Sequence, residues 1–309
     1  MAMAAAVAMK VTRMKVTRAM SRMKSIFKKT PLSVALTPGS TVVGAPTLNK
    51  PISQACTASQ FLEHEYAYWC GQIFEEQKTH RKQWEYCYIA QALSLAGVLS
   101  PGCRGLGFGV GAEPLAALFA ARGAEIVGTD LEPERAQAAG WIETDQHASG
   151  RHAMNDRGIC PADRFESNVS FRYADMNDIP AEIGQFDFCW SACAFEHLGS
   201  IRNGHDFILN AARLLKPGGI SVHTTELNCS SNDETLSSGS TVLFRKRDFE
   251  AMIADLTKMG LEVAVNWDLG DQPLDYHVDM PPYSAENHLK LQIDRWVTTS
   301  FGLIARKPL

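Results

Sequence analysis

The sequence predicts an α/β fold, a mainly parallel sheet covered by helices on both faces, and three observations predict it. From Pro101-Gly102 onward, short β-rich runs alternate with helical runs, the pattern that strand–helix crossover units produce. The first strand and helix are joined by a glycine-rich turn, Gly105-Leu106-Gly107-Phe108-Gly109-Val110-Gly111. The next strand ends on an acid, Asp130.

Two helices are expected ahead of that alternation. Ser59 to Glu76 places Phe61, Leu62, Tyr66, Trp69 and Ile73 close to a helical period, and His80 to Leu99 does the same with Trp84, Tyr88, Ile89, Leu93 and Leu95. Stripes of this kind are packing surfaces more often than cofactor boxes. They define an N-terminal helical cap over 57–99, ahead of a main domain at 100–309. There, Cys103–Phe108 reads as a strand and Glu113–Arg122 as a helix, with Pro114 in the first turn, where a missing N–H does no harm. Glu125–Thr129 is a strand and Glu132–Gly140 begins a helix. Residues 142–166 are polar and irregular, longer than a usual connection. Val169–Tyr173 and Phe186–Ser191 are strands, and Asp206–Leu215 is an amphipathic helix. That helix stops at Lys216-Pro217-Gly218-Gly219, where proline cannot continue it and glycine permits a left-handed cap. Ile220–Thr225 is a strand, Arg247–Met259 a helix, Leu261–Trp267 the segment that follows Gly260, and Trp296–Ala305 a last strand.

Composition narrows the class. A chain of 309 residues is long enough to bury a full α/β core. The formal net charge of −4 gives no electrostatic case for a nucleic-acid partner. Eight cysteines are scattered without a Cys-x-x-Cys pair, which indicates neither a zinc ribbon nor a disulfide scaffold and suits a reducing, cytoplasmic setting. No run of about 18 apolar residues is present, so no membrane span is expected. Residues 1–56 depart from the average. Met1 to Leu62 contains no Asp or Glu while Lys and Arg recur from Lys10 to Lys50, and Met9–Arg13 is repeated at once as Met14–Arg18. This reads as a basic presequence or membrane-surface arm, or as a disordered extension with translation starting at Met20 or Met23. The second reading is preferred, because little after Thr30 resembles a cleavage site and residues 31–55 are rich in Pro, Gly, Ser and Thr. An organelle-targeting role stays open beside it.

The glycine turn carries the chemistry. Without a Cβ, backbone can approach a ligand closely, and a carboxylate at the end of the second strand can accept both hydroxyl protons of a ribose. Gly107 to Asp130 is near the roughly 20-residue spacing of a nucleoside site. Gly107-x-Gly109-x-x-Ala112 also fits the dinucleotide fingerprint, so NAD(P) competes at this point. Three later features separate the two: Tyr173-Ala174-Asp175-Met176 at a strand end, Phe186–Ser191 leading into Phe195-Glu196-His197-Leu198, and Leu214-Leu215-Lys216-Pro217-Gly218-Gly219 before a strand.

As an ordered set, these motifs resemble the class I S-adenosylmethionine-dependent methyltransferases over roughly Gly102 to Gly260. The resemblance implies a Rossmann-like, seven-stranded, mostly parallel sheet with its last strand antiparallel, and S-adenosylmethionine as cofactor. It implies that Gly107, Gly109 and Gly111 face the methionine portion and ribose, and that Asp130 holds the ribose hydroxyls with Leu131 beside the adenine. Asp175 and Met176 would read the adenine edge, Ser191 would place its backbone near the methionine amino group, and Trp84, with Arg81 and Glu85, would close the site. One departure stands out. The family commonly carries an acid two positions before the first glycine, and here that position is Gly105.

A sulfonium methyl group needs an aligned acceptor and a water-poor site, and a base only if the acceptor is an alcohol or a protonated amine. The candidate bases are His197, His223 and Glu226. His223 to Glu234 is dense in hydrogen-bonding groups, which reads as a polar acceptor pocket or as a solvated loop. The favoured activity is O-methylation of a polar small molecule or glycan. An NAD(P)-dependent oxidoreductase and a non-catalytic nucleoside-binding protein are the alternatives, and no Tyr-x-x-x-Lys set supports the former. The Asp275-Tyr276-His277-Val278-Asp279 cluster with His288 has metal-ligand residue types, but polar surface is the more frequent meaning, so no metal is predicted.

Overall fold

The computed structural model describes residues 39–138, 150–284 and 287–309. Its strands are β1 (Ser40–Thr41), β2 (Gln54–Ala55), β3 (Thr79–His80), β4 (Arg104–Phe108), β5 (Glu125–Asp130), β6 (Val169–Tyr173) and β7 (Phe186–Ala192), then β8 (Leu215–Asn228), β9 (Ala264–Val265), β10 (Val278–Asp279), β11 (Asn287–His288), β12 (Lys290–Ile293) and β13 (Trp296–Arg306). The α-helices are α1 (His64–Gln72), α2 (Arg81–Leu95), α3 (Leu115–Ala121), α4 (Pro133–Ala138), α5 (Ala162–Asn168), α6 (Ile201–Arg213) and α7 (Lys246–Lys258).

The main sheet runs β10-β12-β13-β8-β7-β4-β5-β6, with β2 added against β13. Strands β6, β5, β4, β7 and β8 are parallel, and β13 lies antiparallel between β8 and β12. Six of the expected strands form its centre and β2, β10 and β12 bring the total to nine, whereas the segment expected at Leu261–Trp267 contributes only β9, outside this sheet. Two short parallel pairs, β1 with β9 and β3 with β11, stand outside it.

The sheet separates two cores, and β4 shows why its sequence alternates as it does. Successive side chains of a strand point to opposite faces. Leu106 and Phe108 belong to the core built with Phe207, Phe249 and Met252 of α6 and α7. On the other face, Gly105 and Gly107 carry no side chain, and the rings of Phe188 and Trp190 lie over them. A Cβ on Gly105 would stand 2.2 Å from Phe188 Cζ, and one on Gly107 2.4 Å from Trp190 Cζ2. These rings belong to the core that α1, α2 and α3 close with Trp69, Trp84, Tyr88 and Phe119. The N-terminal helices therefore cover one face of the sheet instead of forming a separate cap.

Several expected boundaries shift. The first expected helix is split at Glu63 into a 3-10 turn, Ala58–Leu62, and α1. Glu63 does not continue the helix because its carboxylate accepts from the backbone N–H of Leu48 and Asn49 and from Thr47 Oγ1. The leader expected over 1–56 is corrected from residue 39 on. Leu48 is fully buried, Gln54 and Ala55 pair with β13, and Tyr88 donates its phenol O–H to the Ile52 carbonyl at 2.6 Å. Residues 1–38, with the repeated pentapeptide, lie outside the described residues. The connection expected to be irregular over 142–166 contains a 3-10 turn at Arg151–Asn155 and most of α5. Met154 of that turn fills the space over Gly128, while residues 139–149 lie outside the described residues. Helix α6 begins at Ile201 instead of Asp206, where Ser200 caps it by accepting from Asn203 N at 3.1 Å. Of Leu261–Trp267, only Ala264–Val265 is strand.

Candidate active site

Parallel strands of an open α/β sheet end together, and ligands bind in the crevice at their carboxyl ends where strand order reverses. Here the reversal lies between β4 and β7. Beside it is a cavity of about 690 Å³, within the range that small-molecule sites occupy (about 300–1,000 Å³).

The glycine turn forms its floor. Gly109 and Gly111 line the cavity, both at positive φ, 57° and 48°, a conformation that favours glycine. A Cβ on Gly109 would come within 3.1 Å of Ala194 Cβ, so the turn is a cradle kept open by missing side chains. Gly107 lies in the strand behind it, outside the cavity wall, and its small size serves Trp190. At the end of β5, Asp130 Oδ2 accepts from Gly111 N at 3.2 Å and Oδ1 from Leu131 N at 2.8 Å. Those bonds tie the Asp130 carboxylate to the glycine turn. Asp175 follows β6, ion-paired with Arg135 and accepting from Asn177 N at 2.8 Å. Asp130, Leu131, Asp175 and Met176 all face the same cavity.

Past β7 the wall continues as Ala192, Cys193 and Ala194. Cys193 has a positive φ of 51°. Ser191, one residue earlier, is fully buried, and its hydroxyl meets His223 Nδ1 at 2.8 Å. It therefore presents no side chain to the cavity. Trp84 does not reach it either. The indole is fully buried, stacks on Tyr88 at 4.7 Å and donates from Nε1 to Gln60 Oε1 at 2.9 Å.

The three candidate bases separate sharply. His197 lines the cavity, and its Nδ1 lies 2.8 Å from the Ser240 carbonyl oxygen. His223 is 1% exposed, boxed in edge-on by Phe195 and Phe207, and burial pulls it down to about 3. Glu226 is buried in an ion pair with Arg81 and accepts from Thr298 Oγ1 at 2.7 Å. Neither His223 nor Glu226 lines the cavity, so their placement does not suit a base acting there.

Glu226 belongs to a buried charged cluster behind Cys193. Cys193 Sγ lies 3.1 Å from Glu85 Oε1 and 3.8 Å from Glu226 Oε1, and Lys82 Nζ lies 3.4 Å from Glu85. Burial alone would raise the Glu85 carboxyl, but Lys82 and Arg81 beside it bring it below its usual range. Burial, and then the charge of His197 acting against it, leave Glu196 raised. Cys193, Glu196 and Glu226 hold their ligand-type atoms within 4.8 Å of one another. Burial and the neighbouring carboxylates push the Cys193 thiol well up, away from thiolate, and Arg81 already neutralises Glu226. The group is balanced by protein cations and does not have the character of a metal site. In the other cluster considered from sequence, Asp279 accepts from His288 Nδ1 at 2.6 Å. Asp275 is engaged by the backbone N–H groups of Ala58 and Gln272.

Lys82, Tyr86, Glu113, Arg135 and Asn177 also line the cavity and went unrecognised in the sequence. Helix spacing holds the missed signal. Lys82 and Tyr86, four apart, share the face toward the cavity, whereas Arg81 and Glu85 share the next face, toward the charged cluster.

The sheet with β13 inserted antiparallel and the reversal at β4 define the class: a Rossmann-like α/β fold. Residues 105–223 match the family model described as a methyltransferase domain. That stretch carries a methyltransferase domain. No curated protein matches the chain. Among solved structures it is similar to magnesium protoporphyrin IX methyltransferase from Synechocystis PCC 6803 with bound S-adenosylhomocysteine (12% identity, covering 80% of this chain and 96% of that one, TM-score 0.42). It is also similar to an S-adenosylmethionine-dependent methyltransferase from Clostridium acetobutylicum (11% identity, 79% and 98% covered, TM-score 0.41). A Galdieria sulphuraria protein assigned as a sarcosine dimethylglycine methyltransferase is 21% identical, with 59% of each chain covered and a TM-score of 0.40. Among the described residues no helix is long and apolar enough to cross a membrane.

Proposed function

We propose that this domain methylates an oxygen of a polar small molecule or glycan, with His197 as the base. The residues fit the donor. The Gly109–Gly111 cradle is open backbone, Asp130 and Leu131 would hold the ribose and adenine, and Asp175 and Met176 would read the adenine edge. When bound, the cofactor supplies an electrophilic methyl group. The chain then has to align the acceptor, exclude water and remove a proton.

His197 is the observation that carries this reading. A carbonyl oxygen can only accept, so the Ser240 contact assigns the proton of a neutral His197 to Nδ1 and the basic lone pair to Nε2. Glu196 Oε1 lies 3.8 Å from that Nε2. A base is of use to a hydroxyl or a protonated amine and of none to a carboxylate, and the hydroxyl-rich surroundings favour the alcohol of these. The segment that carries Ser240 follows β8 and contains Ser230, Ser231, Asn232, Thr235, Ser237 and Ser238, hydrogen-bonding groups suited to a hydroxylated acceptor.

The test is a panel of sugars and other polyols incubated with S-adenosylmethionine and followed by mass spectrometry for the gain of one CH₂. With the acceptor found, His197→Ala is expected to lower kcat by about 10²- to 10⁴-fold with donor affinity unchanged. Wild-type turnover in that variant would remove His197 from the chemistry. Tight donor binding with no acceptor turned over would favour a non-catalytic role.

A further inference from the structure

Glu113 is a third acid at the donor cavity, and no strand end explains it. It follows the glycine turn, lines the cavity and is 8% exposed, and its Oε1 has no hydrogen-bond partner among the described residues. The indole of Trp190 lies near it and pulls it down somewhat, but Trp190 Nε1 is itself without a partner, so the two do not satisfy each other. A buried carboxylate left in this way costs free energy unless something neutralises it.

The usual acid of this family is missing two positions before Gly107, and the structure shows why. Phe188 occupies the space that any side chain on Gly105 would need. The amino-acid end of the donor, a zwitterion with an α-ammonium, is thus left without a carboxylate from the strand. We propose that Glu113, reaching in from the start of the following helix, accepts the α-ammonium of S-adenosylmethionine in place of the absent strand acid. The proposal rests on the donor reading given above.

The surroundings suit a carboxylate waiting for a cation. Glu113 is faced by Lys82, Glu85 and Tyr86 from α2 and by Asp130 from β5. Cys193 and His197 line the wall beyond β7, with Asp175 and Arg135 on the β6 side. Burial dominates and pushes Glu113 up to about 8, with Lys82 acting against it and Glu85 and Asp130 adding to it. At neutral pH the free protein therefore holds Glu113 largely protonated. An ammonium brought against it favours the charged form, so donor binding releases that proton to solvent.

Calorimetry in two buffers of different ionisation enthalpy measures the release. The probes are S-adenosylhomocysteine, which carries the amino-acid end, and 5′-methylthioadenosine, which lacks it. At pH 7 the first is expected to bind with release of close to one proton and the second with none. Glu113→Gln is expected to abolish the release and to weaken S-adenosylhomocysteine roughly tenfold to a hundredfold, leaving methylthioadenosine unchanged. Equal release with both probes in the wild-type protein would overturn the proposal without any variant, as would unaltered S-adenosylhomocysteine binding in Glu113→Gln. Failure of the wild-type protein to bind either nucleoside would instead overturn the donor reading.

Discussion

The donor cavity and the charged cluster behind Cys193 use the same residue types in opposite ways. Asp130 and Asp175 sit at strand ends, held by backbone N–H groups and by one exposed arginine, and still face open space. Glu85 and Glu226 are buried beneath α2, with Lys82 and Arg81 against them and hydroxyls of Thr224, Thr298 and Ser300 filling the remaining acceptor sites. The first set lies at the cavity wall, whereas the second is paired internally and holds α2 onto the sheet.

Opposite responses to substitution follow. Arg81→Met leaves Glu226 buried and unpaired, and is expected to lower the unfolding free energy by about 3–5 kcal/mol, read from urea titration. A loss under about 1 kcal/mol would show that the cluster relaxes and that the contrast is overstated. Asp130→Ala should do the reverse. Donor affinity falls by about 1–3 kcal/mol in calorimetry, while the melting temperature of the donor-free protein stays close to wild type. Unchanged affinity would take Asp130 out of the site.

A third effect, confined to acid pH, concerns His223. Its pKa near 3 in the fold, against an ordinary value of about 6.5, means that it stays neutral when folded and takes up a proton on unfolding below about pH 6.5. Its contribution is whole above that pH and is lost as pH falls toward 3. His223→Gln is therefore expected to flatten the decline in stability between pH 6.5 and 4, as measured by urea midpoints. An identical decline would place the acid sensitivity elsewhere, with His80, depressed by burial and by His288 to about 4, the next group to examine.

The glycine turn, Asp130 and Asp175 were legible because their positions depend on local chemistry: a turn requiring positive φ and acids at strand ends. The bases were less so. His223 and Glu226 looked like neighbours in one polar run, yet their separation of three residues in a strand puts them on opposite faces. His223 shares a face with its register partner Ser191, under Phe207, and Glu226 turns toward α2. Parity along β8 could have told them apart, although the cavity role of His197 depends on Ser240, forty-three residues away. No local pattern announces that contact. The same is true of residues 39–56, whose loose composition conceals pairing with the end of the chain.

That pairing has a consequence for synthesis. Tyr88 of α2 fits over Gly302 of β13, where any Cβ would lie 2.1 Å from its ring, while its phenol reaches Ile52. The helix that lines the cavity is thus seated on β13, a strand distant from it in sequence. Until that strand inserts beside β8, a nascent chain exposes a long unpaired edge, and pairings this distant in sequence are slow to form. The cavity-lining face of α2 is accordingly set by a strand more than 200 residues away in sequence, and a substitution that unseats Tyr88 from Gly302 would loosen that face from a distance.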